Sequence, residues 1–355
     1  MYAKMDAPCQ GAPGVGMADS ISFPVGARSR QAARIVPVFL PFRGCPCRCV
    51  YCAQDKQTGA EGARGITRTL RGAAAAVESQ PHPCELAFYG GTFTAMPGND
   101  RRACLDLLLS LREKGLVSAA RCSTRPDALG GSALSELRSG GIDLVELGIQ
   151  SFSSAALSAS RRGYDRRTAL EGCRAVQESG LGLGIQLLPG MPGCGPEIFL
   201  EDVRTALALH PDCMRFYPCL VPEGTVLAGW LAEGIYAPWS LEETVSVLGR
   251  ALDLAWQAGV PVIRLSVAPE SAFDAAVLAG PRHPALGALI QAEALLQAVE
   301  RAAASLGRPP RQIILPRFCQ GFLYGDHGVL RTRWGSLGLG PGRISYHDGG
   351  MAVLS

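Results

Sequence analysis

An α/β fold built on a parallel sheet is what this sequence predicts, and three observations predict it. Short apolar runs recur along the chain, segments of helical period separate them, and the runs are apolar on both faces, as a sheet covered by helices requires. In chain order the runs are IVPVFL (35–40), CELAFYGG (84–91), AARCST (119–124), DLVELGIQS (143–151), LGLGIQLLPG (181–190) and CMRFYPCLV (213–221). Between them lie TRTLRGAAAAVESQ, NDRRACLDLLLSLREKG, GSALSELRSGG, RRTALEGCRAVQESG and PEIFLEDVRTALALHP. These carry apolar residues three and four apart and end in Gly or Pro. Strand then helix, six times over, implies right-handed crossovers and helices outside the sheet. Six such units make either an open doubly wound sheet or a partial barrel, and periodicity does not separate the two. Both place chemistry at the C-terminal ends of the strands. The unusual residues fall there: a cysteine cluster after the first run, Gly90-Gly91-Thr92 after the second, Ser123 to Asp127 after the third, Gln150 after the fourth.

Beyond about residue 225 the alternation changes. A helical stretch, SLEETVSVLGRALDLAWQAG (240–259), leads to VPVIRLSV, a Pro/Gly-rich link AGPRHPALG, and a further helix ALIQAEALLQAVERAAASLG. IILPRF and a Gly-rich tail with short β-like pieces follow. The expected organisation is a flexible tail over 1–30, a core over 31–225, and an α+β extension over 226–355 that packs against the core without repeating its unit.

The composition, 355 residues with 47% hydrophobic and 18% charged, is that of a core-rich globular chain. A net charge of +3 neither implies nor excludes a nucleic-acid partner, because clustering decides that. No apolar run approaches the roughly 18 to 20 residues of a membrane span. The N-terminal MYAKMDAPCQGAPGVGMADS lacks the apolar middle of a signal peptide, so a cytoplasmic protein with no membrane partner is expected.

Thirteen cysteines in a chain of this length do not suit a disulfide scaffold, which is short and secreted. Cys84, Cys104, Cys122, Cys173, Cys194, Cys213, Cys219 and Cys319 are scattered singly and read as buried small hydrophobes. GCPCRCVYCAQ (44–54) is the exception, with Cys45, Cys49 and Cys52 spaced C-x3-C-x2-C and Cys47 between them. Three thiolates from one tight loop suit three corners of a 4Fe–4S cluster, leaving one iron open to a small molecule. Structural zinc wants four ligands, commonly two separated pairs, and no second pair follows here.

C-x3-C-x2-C with an aromatic, Tyr51, before the last cysteine resembles the radical S-adenosylmethionine (SAM) superfamily. There SAM chelates the open iron, and the reduced cluster cleaves it to methionine and a 5′-deoxyadenosyl radical that abstracts hydrogen. Further matches follow in order. In YGGTFT, Gly90, Gly91 and Thr92 resemble the element whose backbone meets the SAM amino group; glycine permits such close approach. STRPD, with Ser123 and Arg125, resembles the element reaching the ribose or carboxylate. Gln150 in LGIQSF matches a polar SAM contact. Arg162 in SRRGYD matches the arginine that pairs with the carboxylate, a task suited to a planar, permanently charged fork; Arg161 reads as its solvated neighbour. In GIQLLPGMPG, Gln186 matches a ribose contact, with the backbone near Leu187 and Leu188 at the adenine.

FLPFRGCPCRCVYCAQ, FYGGTFTAMP, STRPDAL, LGIQSF, SRRGYD, LLPGMPG, RFYPCLVPEGTVL and VIRLSVAP resemble the radical SAM core of the Elongator catalytic-subunit family and its short bacterial relatives, and AGPRHPALG resembles the C-terminal segment of those relatives. The resemblance implies a partial (β/α)6 TIM-like radical SAM barrel, one 4Fe–4S cluster on Cys45, Cys49 and Cys52, bound SAM, an external electron donor of flavodoxin or ferredoxin type, and tRNA as a candidate substrate. Full Elongator subunits add an acetyltransferase domain; the tail has no Arg/Gln-x-x-Gly-x-Gly loop, so acetyl-CoA chemistry is not expected. The short relatives usually lack a cysteine at position 47, so Cys47 reads as a bystander. A tRNA substrate calls for a basic rim, for which Arg282, Arg308, Arg311, Arg317, Arg331 and Arg333 are candidates. Two rival readings are a coproporphyrinogen-oxidase-like or other small-molecule radical enzyme on the same core, and a non-enzymatic iron–sulfur or zinc protein.

Overall fold

Each run predicted as a strand meets its neighbour in one parallel sheet, because a strand apolar on both faces is stable only between layers. The computed structural model describes residues 20–26, 34–54, 65–267 and 271–355. After a first short strand, β1 (Ile21–Pro24), the central sheet is built from β2 (Ile35–Phe39), β3 (Cys84–Tyr89), β4 (Val117–Thr124), β5 (Leu144–Gln150), β6 (Gly182–Leu187) and β7 (Cys213–Phe216). Beyond the small β8 (Val221–Pro222), a seventh strand, β9 (Val262–Arg264), pairs in parallel with β7. The sheet order is β2-β3-β4-β5-β6-β7-β9.

Helices α1 (Ile66–Glu78), α2 (Gly98–Glu113), α3 (Ala133–Ser139), α4 (Ser154–Ala159), α5 (Arg166–Glu178) and α6 (Pro196–Leu207) fill the crossovers. Five of them follow the predicted segments to within a few residues, and α4 lies in none of those segments. Asp165 caps α5 through the Thr168 amide, and Ser153 caps α4 through the Ala156 amide, which stops both helices short of the preceding loops. Lumen-side residues alternate with Leu86, Phe88, Leu147, Ile149, Leu183 and Ile185, which are buried under the helices.

The contacts across the inner face decide between open sheet and barrel. Arg215 on β7 donates to the Tyr89 hydroxyl on β3 at 2.5 Å. Four strand spacings in a flat sheet would hold those positions about 19 Å apart. The sheet is therefore curled, and the fold is the partial barrel. No helix among the described residues is long and apolar enough to cross a membrane.

Two expectations need correction. Unit-like alternation does not end at residue 225: α8 (Leu241–Gln257), after α7 (Val226–Ala232), leads into β9, so strand and helix continue for one more turn. Second, the predicted tail over 1–30 contains β1. Phe23 and Val25 are buried, and β1 pairs antiparallel with β13 (Met351–Leu354), at the far end of the chain. Residues 1–19 and 27–30 of that tail lie outside the described residues. The remaining elements are α9 (Ser271–Ala276), β10 (Val277–Ala279), α10 (Leu286–Leu306), β11 (Ile313–Pro316), α11 (Arg331–Ser336) and β12 (Ile344–His347). β1, β13, β11 and β12 make a second, four-stranded sheet.

Candidate functional site

The loop after β2 carries the cysteines, and two glycines let it interlock with the loop after β3. Gly44 has φ +74°, and a Cβ there would lie 2.3 Å from the Thr92 carbonyl oxygen. A Cβ on Gly91 would lie 2.0 Å from the Arg43 carbonyl oxygen, while the Thr92 amide donates to that oxygen at 2.7 Å. Gly90, at φ +108°, turns the chain against Leu40. The Gly-Gly-Thr element is thus a backbone seat for the cysteine loop.

On that seat Cys49 is buried, Cys45 and Cys52 are half-buried, and Cys47 is exposed. The Cys45 sulfur and the buried Thr92 hydroxyl are 3.3 Å apart. Burial, reinforced by neighbouring Cys49 and Cys45, pushes the Cys52 thiol up to about 12. Among the described residues no three His, Cys, Asp or Glu side chains converge on a single-ion position. A cubane binds its thiolates on separate irons and asks for no such convergence.

Arg162 is the charged centre of the site. It is 6% exposed. Its guanidinium donates to the Cys49 sulfur at 3.1 Å, to the Gly148 carbonyl at 2.5 Å and to the Tyr164 hydroxyl at 2.8 Å. Burial works against its charge, and Tyr164, Tyr51 and Cys49 outweigh that, so it stays protonated well above the usual range. Arg125, also buried, binds Asp127 and donates to the Arg162 carbonyl, with one N–H 3.9 Å from the Cys47 sulfur. Its donors are therefore largely committed to holding Arg162 in place. Arg161 is exposed, with φ +54°; its carbonyl accepts from the Cys47 thiol at 3.7 Å, and its guanidinium lies 5.8 Å from the Trp230 ring.

Gln150 ends β5 in the left-handed region, φ +69°, and is buried. Its Oε1 accepts from Gln186 Nε2 at 3.4 Å, so two polar side chains expected at the ligand meet on the inner face. Ser123 stands on β4 in register with Glu146. Tyr51 is half-buried, and its hydroxyl is buried with no hydrogen-bond partner among the described residues. An orphaned buried hydroxyl near Cys49 and the buried Arg162 guanidinium is what a bound cofactor would complete. A soft, three-thiol donor set on one loop matches iron–sulfur ligation, so the residues fit the group that the sequence implies.

Four contributing residues carry no signal in the sequence. Tyr164, within SRRGYD, bridges Arg162 to the Gly148 carbonyl at 2.9 Å. Thr94 and Thr124 share a 2.6 Å hydroxyl contact that ties the β3 and β4 loops together. Asp202 on α6 accepts from the Ser151 hydroxyl at 2.5 Å and the Phe152 amide at 2.7 Å, anchoring the turn after Gln150. None of the four has a spacing that marks its role. The eight scattered cysteines are all buried, as expected. Of the predicted basic rim, Arg282, Arg317 and Arg333 are paired with carboxylates.

The model described as the Radical SAM superfamily matches residues 39–206, and that of the Radical_SAM C-terminal domain matches 211–317. A tRNA uridine(34) acetyltransferase of Methanocaldococcus infernus is 30% identical over 198 residues, which are 49% of this chain and 37% of the relative. One of that name from Dehalococcoides mccartyi is 27% identical over 59% of this chain and 54% of its own. The human Elongator complex protein 3 is 27% identical over 48% of this chain and 35% of its own. The chain spans between about a third and about half of the length of these relatives. The solved archaeal Methanocaldococcus infernus Elp3 with an N-terminal deletion shares the fold, with TM-score 0.58 and 22% identity over 76% of this chain and 63% of that one.

Proposed function

Because this chain belongs to the radical SAM superfamily and is a radical SAM enzyme, we propose that it holds one 4Fe–4S cluster on Cys45, Cys49 and Cys52 and acts with SAM on a tRNA substrate. The observation that carries this reading is the cysteine loop seated on Gly90-Gly91-Thr92 with the Arg162 guanidinium on the Cys49 sulfur. When bound, cluster and SAM supply hydrogen abstraction from carbon. The protein's part is binding, orientation and exclusion of water. Gly90, Gly91 and Thr92 offer backbone groups to the SAM amino group. Arg162 offers its remaining N–H to the carboxylate. Ser123, Arg125, Gln150 and Gln186 line the inner face for the ribose and carboxylate, and Tyr51 supplies a buried hydroxyl. Cys45, Cys49 and Cys52 would hold three irons of such a cluster, which would leave one iron free for SAM.

The tRNA assignment is supported by the names of the relatives and by Arg48 and Arg161. Both are exposed beside the cysteine loop and each lies against an aromatic ring, Arg48 4.2 Å from Phe42. Neither makes an ion pair among the described residues. Unpaired guanidinium groups among aromatics suit phosphates and unstacked bases. A flavodoxin- or ferredoxin-type donor in a reducing cytoplasm completes the proposal.

Anaerobic reconstitution with iron and sulfide, then reduction with SAM present, tests it. A brown protein that forms 5′-deoxyadenosine is expected; a colourless one with a single zinc sinks the reading. Cys45→Ala abolishes iron retention and Cys47→Ala keeps it; loss in the Cys47 variant overturns the ligand assignment. Retention of tRNA that weakens steeply with salt supports the substrate, while indifference to salt, or turnover of a porphyrinogen instead, removes it.

A further inference from the structure

Phe39 is a large apolar side chain left 47% exposed at the edge of the central sheet. Val36 and Val38 of the same strand are buried on the helix side, so Phe39 stands on the inner face, in register with Tyr89. The two rings are 6.3 Å apart at 38°. One residue beyond Phe39, the Leu40 amide donates to the Tyr89 carbonyl at 2.7 Å, and past that bond the cysteine loop and the Gly-Gly turn begin. The ring pair therefore borders the proposed SAM site at the open side of the half-barrel.

A fixed polar network adjoins the pair. The Tyr89 hydroxyl donates to Glu146 at 3.2 Å and accepts from Arg215, which also donates to the Tyr217 hydroxyl at 2.9 Å and to Glu146 at 2.9 Å. Arg121 bridges Glu146 at 2.8 Å and Glu85. Two guanidinium groups face two carboxylates, so the network carries no net charge to attract an ion. Phenol hydroxyls and guanidinium edges at fixed positions still recognise carbonyl and N–H groups. Burial, with Glu146 beside it, holds the Tyr89 phenol well above its usual range, so it keeps its proton. An aromatic platform beside a neutral hydrogen-bonding edge fits a flat, uncharged heteroaromatic ring.

We infer that Phe39 and Tyr89 form a stacking platform in the barrel lumen for a nucleobase-like ring of the substrate, with the Tyr89–Glu146–Arg215–Tyr217 network reading its edge. This rests on the reading of the chain as a radical SAM enzyme whose substrate enters the lumen beside SAM. It names the part of the substrate that the lumen takes and the residues that choose it.

The test uses the anaerobically reconstituted full chain with SAM and two nucleoside probes, uridine and dihydrouridine, followed by saturation-transfer NMR. Dihydrouridine keeps the carbonyl and N–H edge but has a puckered ring. Uridine is expected to bind, with dihydrouridine weaker by about tenfold. Phe39→Ala should weaken uridine by about tenfold as well, and Phe39→Trp should restore it. Phe39 is exposed on an edge strand, so its replacement leaves the core intact, and SAM retention by Phe39→Ala should equal that of the parent. Equal uridine binding by Phe39→Ala, equal binding of the two nucleosides, or no uridine binding by the parent overturns the platform. Loss of SAM together with uridine in Phe39→Ala also overturns it, by making Phe39 a prop for the SAM loops. Failure of the radical SAM reading has a different signature: no 5′-deoxyadenosine from the parent, while uridine still binds in a Phe39-dependent way.

Discussion

Arg162 shows why a motif names a residue and leaves its duties open. The SRRGYD match predicts a fork for a carboxylate, yet much of the fork is spent inside the protein, on Gly148, Tyr164 and the Cys49 sulfur. An N–H donor on a ligand sulfur raises a cluster's reduction potential. Arg162→Lys keeps the charge but cannot satisfy three separated acceptors from one ammonium. The expected result is a more negative midpoint potential in an EPR-monitored redox titration without SAM, together with a lower thermal midpoint from the unpaired Gly148 carbonyl and Tyr164 hydroxyl. An unchanged potential would remove Arg162 from any role at the sulfur. The cysteine triplet proposed to hold the cluster was legible because spacing along a loop is a property of sequence. The commitment of Arg125 to the Arg162 carbonyl was not, because partners 37 residues apart are set only by the fold.

At the scale of elements, the loops after β2 and β3 interlock through backbone alone. Gly91→Ala places a Cβ where the Arg43 carbonyl oxygen lies, and backbone on backbone leaves no flexible atom to yield. The loops must part, so iron retention after reconstitution should fall severely, while far-UV circular dichroism, carried by the sheet and helices, stays near that of the parent. Normal iron content in the variant would refute the seat. α6 meets β5 through a different device. Burial raises the Asp202 carboxyl to about 6, against the opposing hydrogen bonds from Ser151 and Phe152. Its folded value lies above the unfolded 3.8, so its contribution to stability is present at low pH and is lost as pH rises from about 4 to about 6. Two units correspond to about 3 kcal/mol. In urea unfolding, the parent should therefore lose that much relative to Asp202→Asn between pH 4 and pH 7; a constant difference would contradict a buried, titrating Asp202. The strand-and-helix alternation was legible because each unit has its own period. β1 was not: four residues give no period, and their partner β13 is at the other end of the chain.

The whole molecule joins its two halves more tightly than a core with an appendage. β9 completes the edge of the central sheet, and α10 covers α8 with Ile290, Leu295, Leu296 and Val299, all fully buried. An ion pair reinforces that packing, Arg301 with Asp253 at 2.7 Å, and Arg333 ties α11 to α10 through Glu293 at 2.7 Å. β1, from the N-terminal side, lies against both helices and closes the second sheet through β13. A boundary at residue 225, where the strand-and-helix alternation changes, would cut the pairing of β7 with β9 and the contacts of β1 with β13, α8 and α10. It would strip β7 of its outer neighbour and uncover a face whose large apolar side chains each carry roughly 1.5 to 3 kcal/mol of burial. It would also remove α7, whose Leu227 amide donates to the Val50 carbonyl of the cysteine loop at 2.9 Å. Ending the chain after Pro222 should therefore yield insoluble or poorly packed protein, with near-UV circular dichroism lost and no iron retained. A soluble, well-packed 31–222 fragment that takes up iron would show that the C-terminal half is an accessory, and that the barrel closes without β9.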